Sequence, residues 1–470
     1  MMEKNKLLTI QFFTAIVLMS STAIAQTRNE FTVKQAVDYG VKNAVQVKNA
    51  LLDVKIQEQT NRELTAQAYP QLSGSISTTH YFNVPITSIP NFIAPATYGV
   101  LINEGVKDAN GNPVKMPNGG KFENLALQFG TPWVASAGLD FSQILFDGQV
   151  FVGLQARKSA MDLSRASAEV TTEQIKANIY KVYYQLVVGK TQLGSIDANI
   201  ERFEKLLHDT REIYKNGFAE KLDVDKIMVQ LNNLKTEKQK VENQLSAGNA
   251  GLKFLLNMPQ KDELVLTDTL SEDEIKSNIL DESYSYNDRK EIQLLTLTTK
   301  LNGYNVKRYK LSRIPVVSAF GSYQKNAQRQ EFNFFNKGDW FTSSLIGLRI
   351  AVPIFDGNAK RARIENARLT LNKSENDLLR AKEQMDYEVV QSRTNIKSAI
   401  ITMDVQKQNI KLAEDVFNAT KLKYDQGLGS NQEIYTAQTE LKVAQNNYYS
   451  AVYDAITAKI DYLKAVGKLQ

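Results

Sequence analysis

Leu139-Asp140-Phe141-Ser142-Gln143-Ile144-Leu145-Phe146-Asp147-Gly148 returns as Leu348-Arg349-Ile350-Ala351-Val352-Pro353-Ile354-Phe355-Asp356-Gly357. Each copy is a short alternating segment ending in Phe-Asp-Gly, and each is followed by about seventy residues of helical pattern without proline. The two patterns close on Tyr214-Lys215-Asn216-Gly217 and Tyr424-Asp425-Gln426-Gly427. One strand-plus-long-helix unit thus occurs twice in a single polypeptide, and the architecture has to be assembled from two similar halves.

Within the first copy, Ala135, Ala137, Leu139, Phe141 and Leu145 fall on one face and Ser136, Gly138, Asp140 and Ser142 on the other. In the second, Ile346, Leu348, Ile350 and Val352 oppose Gly347, Arg349 and Ala351. Superposing the copies puts both apolar rows on the same side. A barrel strand between lipid and water has such faces, and a half-buried strand of a soluble sheet alternates identically, so the strands alone leave both readings open.

The helices decide more. Ile364, Ala367, Leu371, Leu378, Ala381, Met385, Val389, Ile396, Met403, Ile410 and Phe417 keep three-four spacing, as do Ile175, Ile179, Val182, Leu186, Leu193, Ile196, Phe203 and Leu207. That is a coiled-coil seam. Seventy residues at 1.5 Å each make a rod on the order of 100 Å, longer than a single globular core needs. After each Tyr-x-x-Gly the helical pattern resumes within a few residues, so each half contains an antiparallel hairpin with its tip at the glycine.

Working outward, residues 1–25 read as a secretory signal. Lys4 and Lys6 precede an apolar run from Ile10 to Met19, and Ala23-Ile24-Ala25 offers a small-x-small cleavage site. A helix from Phe31 to Ala68, with Thr32 as a cap, ends at Pro70, and the first strand occupies about 71–82. The proline- and glycine-rich stretch 83–131 reads as a long loop before the second strand at 133–146. The first repeat, 26–257, is completed by a long helix over 149–216, a tip at 217–221 and a return helix over 222–256. An acidic segment, 258–287, reads as an insert packed against the outside of the rod. The second repeat, 288–470, has strands at about 315–324 and 342–355, a long helix over 358–426, a tip at 427–431 and a return helix over 432–467.

Composition narrows the function. The chain has no cysteine, which excludes disulfides, thiolate metal sites and acylation at an N-terminal cysteine. The net charge of +6 is spread along helices of mixed sign, a solvated surface and not a nucleic-acid footprint. With two histidines, His80 and His208, no catalytic or metal constellation is apparent. No enzyme activity and no cofactor are expected. Four strands cannot close a barrel, and an open sheet edge cannot face lipid, so a chain of this design must oligomerise if it spans a membrane. Three copies would supply twelve strands.

The lead-ins Tyr69-Pro70 and Ile314-Pro315, the Phe-Asp-Gly exits and the paired tips give the chain its resemblance. The tips read Tyr214-Lys215-Asn216-Gly217-Phe218-Ala219 with Asp223-Val224, and Tyr424-Asp425-Gln426-Gly427-Leu428-Gly429 with Ile434 and Ala437-Gln438. In order, duplication and spacing, these features resemble the TolC-like outer-membrane efflux protein family over essentially the whole chain after residue 25. The resemblance implies a mainly α protein with a membrane β-barrel: a homotrimer with a twelve-stranded barrel in outer-membrane lipid, continued by a helical tunnel across the periplasm. It also implies partners, a periplasmic adaptor protein and an inner-membrane transporter, with the chain as exit duct.

Site residues follow from the same resemblance. Glu433 occupies the first of the family's two acidic aperture positions, and Thr436 stands at the second. Asp223 and Tyr424 match the partners that latch the closed tips, while Gly429 stands where an arginine is often found. Gly217, Phe218, Ala219, Gly427, Leu428 and Gly429 resemble the adaptor-docking surface. Each has a plainer reading beside it. Glu433 is also an ordinary acidic residue in a first helical turn, Tyr424 a seam position, and the glycines ordinary helix stops. A secreted coiled-coil scaffold and a stand-alone porin are the competing functions; the first leaves the apolar strand faces unexplained, the second the long hairpins.

Overall fold

The computed structural model describes residues 28–277, 284–336 and 338–469, so the expected signal segment lies outside the described residues. The elements run β1 (Arg28–Phe31), α1 (Val33–Asn43), α2 (Val45–Ala66), β2 (Gln71–His80), β3 (Ile86–Ile89), α3 (Ile93–Asn103), β4 (Leu125–Gln128) and β5 (Trp133–Phe146). There follow α4 (Gly148–Lys215), α5 (Lys221–Leu256), β6 (Glu263–Leu266), α6 (Glu272–Lys276) and α7 (Lys290–Leu311). The chain ends with β7 (Val316–Arg329), β8 (Phe341–Ala351), α8 (Ala359–Asp425) and α9 (Asn431–Ala465). Two compact units result, one from Asn61–Gln155 and Val306–Glu365, the other from the remaining segments.

The first unit carries a four-stranded antiparallel sheet in the order β2-β5-β7-β8. Its register gathers the alternation of every strand onto common faces. Leu72 lies opposite Phe141, Gly74 opposite Leu139, Leu139 opposite Tyr323, and Gly321 opposite Ile346, so one face is apolar from edge to edge. The other carries Ser73, Ser75 and Ser77 beside Asp140, Gly138 and Ser136, then Ser322, Gln324 and Asn326. On that polar face Ser77 and Ser136 share a hydrogen bond of 2.8 Å, and the Arg349 guanidinium lies 5.2 Å from the centre of the Phe320 ring. Both edges are unpaired among the described residues, and all ten residues of β2 are exposed.

The repeated Phe-Asp-Gly is a helix start. Asp147 accepts a hydrogen bond from the Gln149 backbone N–H at 2.7 Å, and Asp356 accepts one from Lys360 at 3.0 Å, each satisfying a donor that a first helical turn leaves free. The two glycines differ. Gly148 packs where a Cβ would come within 2.8 Å of Leu311, whereas Gly357 adopts φ +65° in open space.

The stretch 83–131, expected as a loop, is a correction to the sequence reading. It holds the β3–β4 hairpin, in which Ile86 pairs with Gln128 and Ile89 with Leu125, and the helix α3. Pro95 does not break α3 because it falls in the first turn, where its missing N–H has no intrahelical partner to lose. Asn91 caps the helix by accepting from the Ala94 N–H at 3.0 Å. β7 runs on to Arg329, beyond the expected 324, and β8 stops at Ala351, where Pro353 follows.

In the second unit the seam residues are buried: Ile175, Ile179, Leu186, Ile196, Phe203 and Leu207 on α4, and Met385, Val389, Ile396, Met403 and Phe417 on α8. The first helix of the sequence reading is two helices broken at Ala44, with Thr32 and Gln35 forming a capping box at its start. The acidic segment contributes β6, which pairs in parallel with β1, a connection between residues 235 positions apart exemplified by Arg28 with Glu263. Asp268 then accepts from the Val33 N–H at 2.7 Å, and Lys276 and Glu272 reach Asp404 and Lys407 of α8. Burial acts to raise the Glu272 carboxyl, but Lys407 and the Tyr448 hydroxyl outweigh it and hold the group below its usual range.

Candidate functional site: the hairpin tips

Both tips are built the same way. Phe218 N–H donates to the Ile213 carbonyl at 3.0 Å and Gly217 N–H to Tyr214 at 2.9 Å; Leu428 and Gly427 repeat the pattern on Lys423 and Tyr424. This double bond set ends a helix through a left-handed residue, and Gly217 (φ +81°) and Gly427 (φ +76°) supply it. The following helices are capped differently. Glu220 and Asp223 form a capping box in which Asp223 accepts from the Glu220 N–H at 3.2 Å. Ser430 caps α9 by accepting from the Glu433 N–H at 3.3 Å. Gly429 folds back onto the preceding helix end, where a Cβ would sit 3.1 Å from the Tyr424 nitrogen.

Below each tip lies an apolar core, and Leu206 of α4 packs against both. Phe203, Leu207, Val224, Ile227, Leu231 and Leu234 hold the first hairpin together, and Phe417, Ile434, Ala437 and Leu441 the second. At the turns themselves the apolar side chains face out: Phe218 is 86% exposed and Leu428 75%, so neither stabilises its own hairpin. Gly217, Ala219 and Gly427 flank them.

The structure does not join Asp223 to Tyr424 within the chain. Asp223 is occupied in capping its own helix, and the Tyr424 hydroxyl stands 3.4 Å from Thr210 on the first hairpin. Tyr424 also packs against the second hairpin's core. Glu433 is exposed and lies 4.0 Å from Lys423 across the turn, a pair with both partners in solvent and hence worth little to stability.

The joint between the hairpins adds to the Leu206 contact a polar layer that the sequence reading missed. Asn199, almost fully buried on α4, donates to Gln445 at 2.8 Å and accepts from Gln438 at 3.0 Å and from Arg202 at 3.2 Å. Gln192 donates to Asn446 at 3.1 Å, and Gln230 to the Tyr435 hydroxyl at 2.9 Å. Asn199 sits three residues after Ile196 and four before Phe203, and Gln438 and Gln445 flank Leu441. An amide at seam spacing is the signal that could have revealed this layer.

Further along the same unit, Glu173 is buried with one carboxylate oxygen unpartnered. Burial, reinforced by Glu291, raises its pKa against the opposing pull of Arg289, Lys464 and Lys290. Arg289 is itself buried, bonded to Glu388 at 3.0 Å, to Glu291 at 3.1 Å and to the Ala465 carbonyl at 3.2 Å.

A family model described as outer membrane efflux protein matches residues 300–468, the second repeat. The proteases secretion protein PrtF of Dickeya chrysanthemi is 18% identical over 63% of this chain, and the match spans 65% of PrtF, just under two thirds. The outer membrane protein TolC of Escherichia coli is 19% identical over 71% of this chain and 69% of its own. Among solved structures, CusC superposes with a TM-score of 0.74 at 16% identity, covering 95% of each chain. VceC of Vibrio cholerae gives 0.69 at 14%, covering 93% of this chain and 96% of that one. The resemblance to TolC-like outer membrane efflux proteins is borne out: by sequence in the second repeat, and by fold over nearly the whole chain.

Proposed function

We propose that the chain is the outer-membrane exit duct of a tripartite efflux or secretion system, seated in the outer membrane and extending into the periplasm. The observation that carries this reading is the sheet. It is apolar on one face and polar on the other, with long edge strands left open, a surface that neither water nor lipid accepts on its own. Joining β8 of one copy to β2 of the next closes those edges, and three copies make a barrel of twelve strands with serine, glutamine and asparagine toward the lumen. The hairpins then form the periplasmic tunnel, and no covalent chemistry is needed.

At the tips the duct is gated. Three copies of Glu433 around the axis form an acidic ring, softened by the Lys423 beside each one. Tyr424 and Asp223 take part in holding the tips closed, Tyr424 through Thr210 and Asp223 by fixing the start of α5. Phe218 and Leu428, with the small residues Gly217, Ala219, Gly427 and Gly429, form the docking surface for a periplasmic adaptor, which links the duct to an inner-membrane transporter. Their exposure supports this role, since apolar side chains at a turn gain nothing from water.

The test is planar-bilayer conductance of detergent-purified protein whose oligomeric mass is measured in the same preparation. A trimer that inserts and conducts weakly, and whose conductance rises when the tips are loosened, is the expected result. A monomeric protein that never inserts would return the chain to the scaffold reading. Charged replacements at Phe218 and Leu428 are expected to abolish crosslinking to the adaptor; unchanged crosslinking removes the docking assignment.

A further inference from the structure

The two halves of the chain agree in strand register as well as in sequence. Superposing Pro70 on Pro315 and Gly148 on Gly357, the shared lead-in and exit, sets Leu72 on Val317 and Phe141 on Ile350. Leu72 lies opposite Phe141 in the β2–β5 ladder, and Val317 lies opposite Ile350 in the β7–β8 ladder. The agreement runs from end to end: Gln71 with Ser142 corresponds to Val316 with Ala351, and His80 with Trp133 to Lys325 with Thr342. Register, unlike pattern, is a property that one half can lend the other.

The chain also holds the ladder that joins one half to the next, β5 with β7. Its counterpart would join β8 to a β2, but β2 of the same chain stands at the far edge of the sheet. Ile76 on β2 is 90% exposed and Ile346 on β8 85%. Resting on the exit-duct reading, we infer that β8 pairs with β2 of a second copy in the register that β5 and β7 display. Phe141 opposite Gly321 becomes Ile350 opposite Ile76 of the next copy, and Leu139 opposite Tyr323 becomes Leu348 opposite its Thr78. Asp140 opposite Ser322 becomes Arg349 opposite its Ser77.

Two features that played no part in the derivation agree with it. The faces match: Ile76 and Thr78 share the apolar row with Ala137 and Ala135, and Leu348 and Ile350 share it with Ala319 and Val317. A slip of one residue would set those side chains against the serine row. The β5 ladder is irregular between Ile144 and Phe146, whose counterparts are Pro353 and Phe355, so Pro353 falls beside a bulge, where a sheet tolerates proline. The register also arranges the lumen. Asp140 and Arg349 are counterparts, and among the described residues no other charge stands on the polar face of the four strands. Repeated around the axis, they alternate at one level, carboxylate between guanidiniums, and leave that level without net charge. Each guanidinium is held at 5.2 Å from the Phe320 ring, which lies where a Cβ on Gly347 would come within 2.7 Å of it.

Because the chain has no cysteine, two introduced cysteines report one pair. In the full-length protein, Ile350→Cys with Ile76→Cys probes the seam on its apolar face and Arg349→Cys with Ser77→Cys on its polar face. Successive pairs of an antiparallel ladder alternate in geometry, so the two cover both kinds. Ile350→Cys with Gly74→Cys or with Thr78→Cys shifts the partner by two residues and keeps the faces. Leu139→Cys with Tyr323→Cys, which closes within one copy, sets the reference rate. Each protein is purified in detergent, its mass is measured under reducing conditions, and it is then oxidised and run on a denaturing gel. A disulfide needs Cα atoms within about 7 Å, so the in-register pairs are expected to form covalent dimers and trimers about tenfold faster than the shifted ones. The register is overturned if the reduced protein is a trimer and a shifted pair crosslinks faster, or if neither in-register pair crosslinks while the reference does. A reduced protein that is monomeric would instead overturn the exit-duct reading.

Discussion

Two interfaces run side by side near the tips, and they are made of opposite materials. Inside each hairpin the contact is apolar: Phe203, Leu207, Ile227 and Leu231 in the first, Phe417, Ile434 and Leu441 in the second. Between the hairpins Leu206 packs against the second core, and beside it lies a layer of amides centred on Asn199, Gln438 and Gln445. Apolar packing is strong and tolerant of direction, whereas buried amides contribute little net energy and demand one register. The difference fits a gate whose arms stay rigid while the joint between them carries the alignment. The second joint is also the less completely satisfied, since the Gln438 carbonyl oxygen is buried without a partner.

The largest effect should come from breaking an arm. Leu231→Ala removes most of a buried side chain from the first hairpin and is expected to cost about 2–5 kcal/mol locally, read as faster amide exchange on both sides of Gly217. Breaking the joint should cost less but do something different. Asn199→Leu strands Gln438 and Gln445 at a cost of about 1–3 kcal/mol, and converting all three to leucine should restore thermal stability while altering the gate's conductance. If the triple variant conducts like the parent, the amides are mere packing.

A buried group outside the tips sharpens the point about unpaired polarity. The Glu173 pKa is raised above its unfolded value, so the folded state holds its proton more tightly. Stability contributed by that proton is complete below the unfolded pKa and is lost as pH rises through the folded one. Glu173→Gln should therefore flatten the decline of the melting temperature as pH increases from the ordinary carboxylate range toward neutrality; an unchanged slope would contradict the assignment.

Smaller effects belong to the latch and the ring. Tyr424→Phe removes a hydroxyl whose hydrogen bond to Thr210 is long, so about 1 kcal/mol or less is at stake, and conductance should rise modestly. Glu433→Gln is expected to reduce cation preference and Lys423→Ala to increase it, each by less than the tenfold that 1.4 kcal/mol represents, because the pair is solvated. Equal effects of both charges in the same direction would remove the ring.

Much of this was legible because it is local. Phe-Asp-Gly marks a helix cap in both copies and a strand end in the first, and Tyr-x-x-Gly marks a helix stop within four residues. The sheet faces followed from a period of two, which the register preserves across four strands. What escaped depends on distance or on the absence of a pattern. β1 and β6 are four residues each, one at the start of the first repeat and the other in the acidic segment that follows it, too short to show periodicity. α3 was hidden because it has no charged residue to alternate with its apolar ones, and because Pro95 lies inside it and four more prolines of 83–131 flank it. Glu433 was legible as an acid, but its neutralising partner Lys423 lies across the turn, and Asn199 hid among the apolar residues whose spacing it shares.

The pairing of β5 with β7 sets an order of events in time. Leu139 meets Tyr323 only after ~180 intervening residues have been made and exported, whereas each hairpin is complete within its own repeat. The first hairpin can form as the chain emerges; the four-stranded sheet has to wait for β7, and until then the free edge of β5 is unpaired. A newly made chain therefore passes through a stage in which the first hairpin is complete and β2 and β5 still wait for β7, and that stage, more than the finished fold, is where it needs protection from aggregation.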